Sequence, residues 1–146
     1  ILAEGNETGM FVTLFCGRLN LRTGLLEYCN AGHNPIVVCP AEGDTYLLRA
    51  KANLALGLLG DFPYEGQSLN LHPGDTLLLY TDGITEAERA DKVLYGEERL
   101  LSWCSTSKTL SEGSAHEAVN DLYASVEHFV DGNEQNDDTT VMIIKL

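Results

Sequence analysis

The chain has 146 residues, 44% of them hydrophobic and 21% charged, with a formal net charge of −13 at pH 7. That length carries one domain with a real core, so residues 1–146 are expected to form a single domain. The acid excess argues against a nucleic-acid partner, because phosphate backbones would be repelled. No apolar run reaches membrane-span length, and the opening residues lack the layout of a signal peptide. The four cysteines, Cys16, Cys29, Cys39 and Cys104, include no Cys-x-x-Cys pair. They read as buried, reduced thiols of a cytoplasmic protein, and they leave no basis for zinc or a disulfide framework.

Residues 10–20 are rich in β-branched and aromatic side chains and predict a long strand. Arg22-Thr23-Gly24 predicts a turn, and residues 25–30 a returning strand, giving a hairpin. Ala31-Gly32-His33-Asn34-Pro35 breaks the pairing, since Pro lacks a donor and Gly permits unusual φ. Residues 36–39 and 45–49 follow as strands around the turn cluster of residues 40–44. The Leu- and Gly-rich stretch 53–66 predicts an irregular excursion, followed by a short strand at 67–71. His72-Pro73-Gly74-Asp75 is a tight turn into the strand at 76–81. Strands joined by such short turns imply antiparallel meander pairing. Residues 97–104 predict a helix, residues 105–113 a polar connection, and residues 115–130 an amphipathic helix capped by Ser111 or Ser114. After a polar loop at 131–136, residues 141–144 predict a final buried strand.

The segment Leu77-Leu78-Leu79-Tyr80-Thr81-Asp82-Gly83 organises the chain. Its apolar residues run without alternation, which suits an interior strand. The run delivers the Asp82 carboxylate to a strand end, and Gly83 then permits a sharp turn. Asp82 either caps a helix opened by Thr85 and Glu86, or meets a divalent metal. Asp137 and Asp138 begin the final strand. Antiparallel neighbours would bring these two acidic points together at one sheet rim. Clustered carboxylates repel unless protonated or metal-bound, and all-oxygen ligation suits Mg²⁺ or Mn²⁺. The competing reading is a pair of solvated turn aspartates. The ladder beginning at Asp131 lacks the Gly and Glu of an EF-hand, and the chain has neither a P-loop nor a Gly-x-Ser-x-Gly elbow.

The motifs stand in a recognisable order: Met-Phe-Val-Thr-Leu-Phe, Asn30-Ala31-Gly32-His33-Asn34-Pro35, Leu56-Gly57-Leu58, Pro73-Gly74-Asp75, Tyr80-Thr81-Asp82-Gly83-Ile84-Thr85-Glu86-Ala87, Tyr95-Gly96-Glu97-Glu98-Arg99-Leu100 and Asp137-Asp138-Thr139-Thr140. Over nearly its whole length the chain resembles the PPM-type serine phosphatase domains of bacterial stress and sporulation signalling, the stage II sporulation protein E-like group. The resemblance implies an α+β fold, a two-layer antiparallel β-sandwich flanked by helices. It also implies a Mg²⁺/Mn²⁺ pair at one edge, with Asp82 and Asp137 as ligands and Asp138 in support. The implied reaction is in-line attack of metal-activated water on phosphoserine or phosphothreonine, with no phosphoenzyme. A phosphorylated regulator, such as an anti-sigma-factor antagonist, is the implied partner.

The family's further aspartate, which bridges both metals, has no counterpart before Met10. The expectation is therefore the C-terminal portion of the domain, truncated at its N-terminus, with the bridging ligand upstream. Strand edges left open that way would pair with another copy, as in a homodimer, or aggregate. Three residues have supporting roles open to them. Gly83 allows the turn. Glu86 caps a helix or holds a metal-bound water. His33 shapes the cleft through its turn, or acts as a general acid. The alternative to a phosphatase is a non-catalytic regulatory module of the same fold.

Overall fold

The computed structural model describes residues 2–51, 53–133 and 137–146. It forms two compact units, Ile1–Pro35 with Arg49–Pro73 and Ile36–Leu48 with Gly74–Leu146.

The first unit is a three-stranded antiparallel sheet of order β1-β2-β5, built from β1 (Leu14–Leu19), β2 (Leu25–Ala31) and β5 (Gln67–Asn70). Alternation along β2 buries Leu26, Tyr28 and Asn30 on one side, and Phe15 stacks on Tyr28 with ring centroids 5.6 Å apart. The β1–β2 turn depends on Gly24, whose φ is +72° and whose missing Cβ would stand 2.0 Å from the Leu71 carbonyl oxygen. Only a residue without a side chain fits there. The strand expected over 10–20 is shorter than its composition implied. Met10, Phe11 and Val12 are exposed, and Val12 joins only an isolated bridge to Leu56. The Asn6 amide holds this segment instead, bonding the backbone of Met10 and Gly57. The stretch 53–66 is irregular, as expected.

The second unit is a four-stranded antiparallel sheet of order β4-β3-β6-β7, from β3 (Ile36–Cys39), β4 (Tyr46–Leu48), β6 (Thr76–Tyr80) and β7 (Val141–Lys145). Every pair is antiparallel, but the order is not a simple meander, because β6 lies between β3 and β7. Leu78 faces Val37 on one side and Ile143 on the other. It is completely buried, as a strand without alternation requires. Much of the rest of the core comes from α2 (Gly96–Thr106), α3 (Lys108–Glu112) and α4 (Ala115–Val130). Leu100, Cys104, Leu110, Ala118, Leu122 and Val126 pack with Leu78 and Tyr80 in one cluster.

The helix expected over 115–130 is α4, and Ser114 caps it through a complete capping box with Glu117. The polar connection expected over 105–113 contains α3, whose N-cap is Ser107. Its helical turn is specified by contacts with α4 that periodicity cannot report. Asp121 of α4 accepts hydrogen bonds from Thr109 Oγ1 at 2.7 Å, Ser107 Oγ at 2.9 Å and Trp103 Nε1 at 3.2 Å. The polar loop expected over 131–136 falls in part, at 134–136, outside the described residues. Cys16 is exposed and Cys29 and Cys39 are half-buried, so burial of all the cysteines is corrected; strand alternation turns Cys16 outward.

The Thr109 hydroxyl, with those of Ser107 and the Trp103 indole, holds the Asp121 carboxyl below the usual carboxylate range. A depressed native pKa adds stability above the unfolded value, near ~3.9, and loses it as pH falls through the native value. Asp121→Ala is therefore expected to lower the melting temperature at neutral pH. The gap to the unsubstituted chain should narrow as pH falls below about 4. Thermal unfolding at both pH values checks this, and a gap of constant width contradicts it.

Candidate metal-binding edge

The site begins with the pairing of β6 and β7. Their register sets Tyr80 opposite Val141, so the C-terminal end of β6 meets the N-terminal end of β7. Asp82 follows the first end, and Asp137 and Asp138 precede the second. The two acidic points stand at the same edge of the sheet.

Thr81 locks that edge. Its amide donates to the Thr140 carbonyl at 3.0 Å. Its hydroxyl donates to the Asp138 carbonyl at 3.1 Å and accepts the Thr140 amide at 2.9 Å. Gly83 is buried against the same carbonyl. A Cβ at residue 83 would lie 2.6 Å from the Asp138 oxygen and 3.0 Å from Thr139 Oγ1. Its contribution is therefore close approach of two backbones rather than a positive φ. From the other side, the Tyr123 hydroxyl of α4 donates to the Thr139 carbonyl at 3.1 Å.

Asp82 is exposed and opens α1 (Asp82–Thr85), a single helical turn whose N-cap is Thr81. The capping role offered for Asp82 is corrected: it is the first helical residue, one place after the cap. The longer helix expected after Thr85 is also absent. Glu86 closes α1 with its amide on the Asp82 carbonyl at 2.7 Å. The chain then makes a tight reversal, with Lys92 at φ 68° and ion pairs Arg89–Asp91 and Lys92–Glu88. Good helix formers are overruled there by the turn. The exposed Glu86 carboxylate remains on the acidic edge's own helix, one turn from Asp82.

Asp137 and Asp138 are exposed, and Asp137 Oδ1 accepts the Asp138 amide at 2.7 Å. That local bond fixes the rotamer of Asp137 at the strand entrance. Hard carboxylate oxygens suit Mg²⁺ or Mn²⁺. Among the described residues no group of three or more His, Cys, Asp or Glu side chains is placed to hold a metal. Mg²⁺ commonly keeps several waters and takes one or two carboxylates with phosphate oxygens. Two exposed aspartates at one locked edge fit that mode in donor type.

His33 belongs to the first unit. Asn30, a buried residue, clamps its turn by accepting the His33 amide at 2.8 Å and donating to the His33 carbonyl at 2.9 Å. His33 Nδ1 lies 3.0 Å from the Asn34 carbonyl, so Nδ1 carries the proton. The ring lines a 190 Å³ cavity with Asn30, Arg49, Lys51 and Asn53, all in the first unit. Sequence reasoning missed Thr81 as the link between the acidic strand ends. The available signal was a hydroxyl residue directly before Asp82-Gly83, with Thr139-Thr140 after the second acidic pair.

Known proteins resemble this chain over most of its length. Protein IcfG of Synechocystis sp. is 31% identical over 144 residues, covering 99% of this chain and 22% of its own length. Phosphoserine phosphatase RsbU of Bacillus subtilis is 26% identical over 152 residues, covering 99% of this chain and 42% of its own. The chain thus spans less than half of either relative. A crystal structure of the phosphatase domain of SpoIIE from B. subtilis, presoaked with Mn, superposes with a TM-score of 0.70 at 21% identity. It covers 92% of this chain and 56% of that one, and shows that the two share a fold. The family model for stage II sporulation protein E matches residues 1–146. With that match along its full length, the chain belongs to the SpoIIE family.

Proposed function

We propose that this chain is part of a metal-dependent phosphatase acting on phosphoserine or phosphothreonine of a protein. The observation that carries the reading is the acidic edge, where Thr81 ties the backbone after β6 to the backbone before β7. Asp82 and Asp137 would hold Mg²⁺ or Mn²⁺ through their carboxylates, with Asp138 in support. The Mn-presoaked crystal of the SpoIIE phosphatase domain and the name of RsbU support the metal and the phosphoserine chemistry respectively. When bound, such an ion neutralises phosphate charge and acidifies water.

The chain's own residues supply position. Thr81 and Gly83 keep the two carboxylates on one edge, where in the absence of a cation they would repel each other. Glu86 follows Asp82 by four residues, about one helical turn, and is proposed to hold a water at that edge. The substrate proposed is a phosphorylated signalling regulator of the anti-sigma-factor antagonist type. No helix among the described residues is long and apolar enough to cross a membrane.

The test is a Mn²⁺ titration by calorimetry, run beside phosphate release from a phosphoserine protein. Asp82→Asn keeps the shape of the residue and removes its charge. It is expected to weaken Mn²⁺ binding by at least ~10-fold and to lower any Mn²⁺-dependent turnover in proportion. Equal affinity in both proteins would remove Asp82 from the site. Mn²⁺-dependent turnover would exclude the non-catalytic module, whereas metal binding without turnover is the result expected both of that module and of a chain whose bridging ligand lies upstream.

A further inference from the structure

The four cysteines are scattered in sequence but stand as two neighbouring pairs. Cys16 lies opposite Cys29 across β1 and β2. Cys39, at the end of β3, packs against the core cluster that contains Cys104 of α2. The second pair has three properties together. Its two residues pack together where β3 meets α2. Both residues line one cavity of 540 Å³, whose wall also carries the hydroxyls of Thr45, Thr76, Ser105 and Ser111. Cys39 is half-buried and Cys104 is buried, so Cys39 is the more accessible of the two.

We propose that Cys39 and Cys104 form a peroxide-responsive dithiol that closes to an intramolecular disulfide. The thiolate of Cys39 attacks one oxygen of a hydroperoxide. The O–O bond breaks, and the leaving oxygen takes a proton to depart as water or alcohol. Cys39 is then a sulfenic acid, oxidised by two electrons. The Cys104 sulfur attacks the Cys39 sulfur, the S–O bond breaks, and the Cys104 proton leaves with the hydroxyl as water. Two thiols and one hydroperoxide thus become one disulfide and two molecules of water, or one of water and one of alcohol.

The environment divides the roles. The neighbouring Cys104 side chain draws the Cys39 thiol below its ordinary range, with Thr45 acting in the same direction against the effect of burial. Cys39 beside it, then burial, pushes the Cys104 thiol up. Cys39 is the attacking sulfur and Cys104 resolves its sulfenic acid. This site belongs to the second unit and is independent of the phosphatase reading.

Brief exposure of the 146-residue chain to hydrogen peroxide, alkylation and non-reducing peptide mapping form the test. The expected principal product is a linked Cys39–Cys104 peptide, with an intact mass lower by about 2 Da and reversal by dithiothreitol. In Cys104→Ser, Cys39 should stop at a sulfenic acid that dimedone captures. In Cys39→Ser, Cys104 should remain a thiol. Circular dichroism establishes that each variant is folded, and the mapping of the unsubstituted chain decides the matter without them. Linkage confined to Cys16 and Cys29, sulfenic acid on Cys104 in Cys39→Ser, or an unmodified Cys39 would overturn the proposal.

Discussion

Gly83→Ala is expected to lower the stability of the chain and to damage the acidic edge in one step. The added methyl would sit 2.6 Å from the Asp138 carbonyl oxygen and 3.0 Å from its carbon. Those are backbone atoms, which cannot rotate away as a side chain would. The Asp138 carbonyl also accepts the Thr81 hydroxyl, so moving it breaks the link between the ends of β6 and β7. The expected loss is at the upper end of the ~1–3 kcal/mol typical of overpacked sites. Urea unfolding measures that loss. Mn²⁺ titration should show a parallel fall in affinity, because Asp82 and Asp137 no longer share a locked edge. Full stability and full affinity in Gly83→Ala would show that the close approach does not organise the site.

Leu78→Ala is expected to destabilise the second unit by about 2–5 kcal/mol, through lost transfer free energy and the cavity left behind. Leu78 is completely buried at the centre of β6, with Val37 and Ile143 as its strand partners. Backbone on both sides is pinned by the sheet ladder, so the site collapses poorly around the missing atoms. Total stabilities of about 5–15 kcal/mol make such a loss a large share. Met142→Ala on the adjacent strand gives the internal comparison. Met142 is 56% exposed, and its truncation should change the urea midpoint little, within about 0.5 kcal/mol. Similar losses for the two would contradict the assignment of the core to this side of β6.

Much of the fold was legible because burial writes itself into spacing. The uninterrupted Leu77-Leu78-Leu79 run marked an interior strand, and β6 is one, with Leu77 and Leu78 buried. The stripe through Ala118, Leu122 and Val126 marked α4, and all three are buried. Ser114 sat where a cap belongs. The failures have equally physical causes. Thr85, Glu86 and Ala87 favour helix locally, yet the chain reverses at Lys92 because ion pairs and a bridge between Glu88 and Leu94 hold a turn. Residues 10–12 have strand composition, but a strand needs a partner along its length, and Val12 finds only Leu56. At the acidic edge, Asp82, Asp137 and Asp138 were legible as chemistry. Their meeting was an inference from antiparallel geometry, and the Thr81 clamp that secures it left only the faint signal of a hydroxyl residue before Asp82-Gly83.

By itself the sequence determined the interior strand β6, the amphipathic helix α4, the turn at Gly24 and the identity of the acidic residues, because each depends on neighbours a few positions away. Only the tertiary structure decided that β6 lies between β3 and β7, that the Asp138 carbonyl rests on Gly83, and that Cys39 meets Cys104. Those facts depend on which distant segments share a ladder or a core. Local periodicity records that a side chain is buried, but not against what.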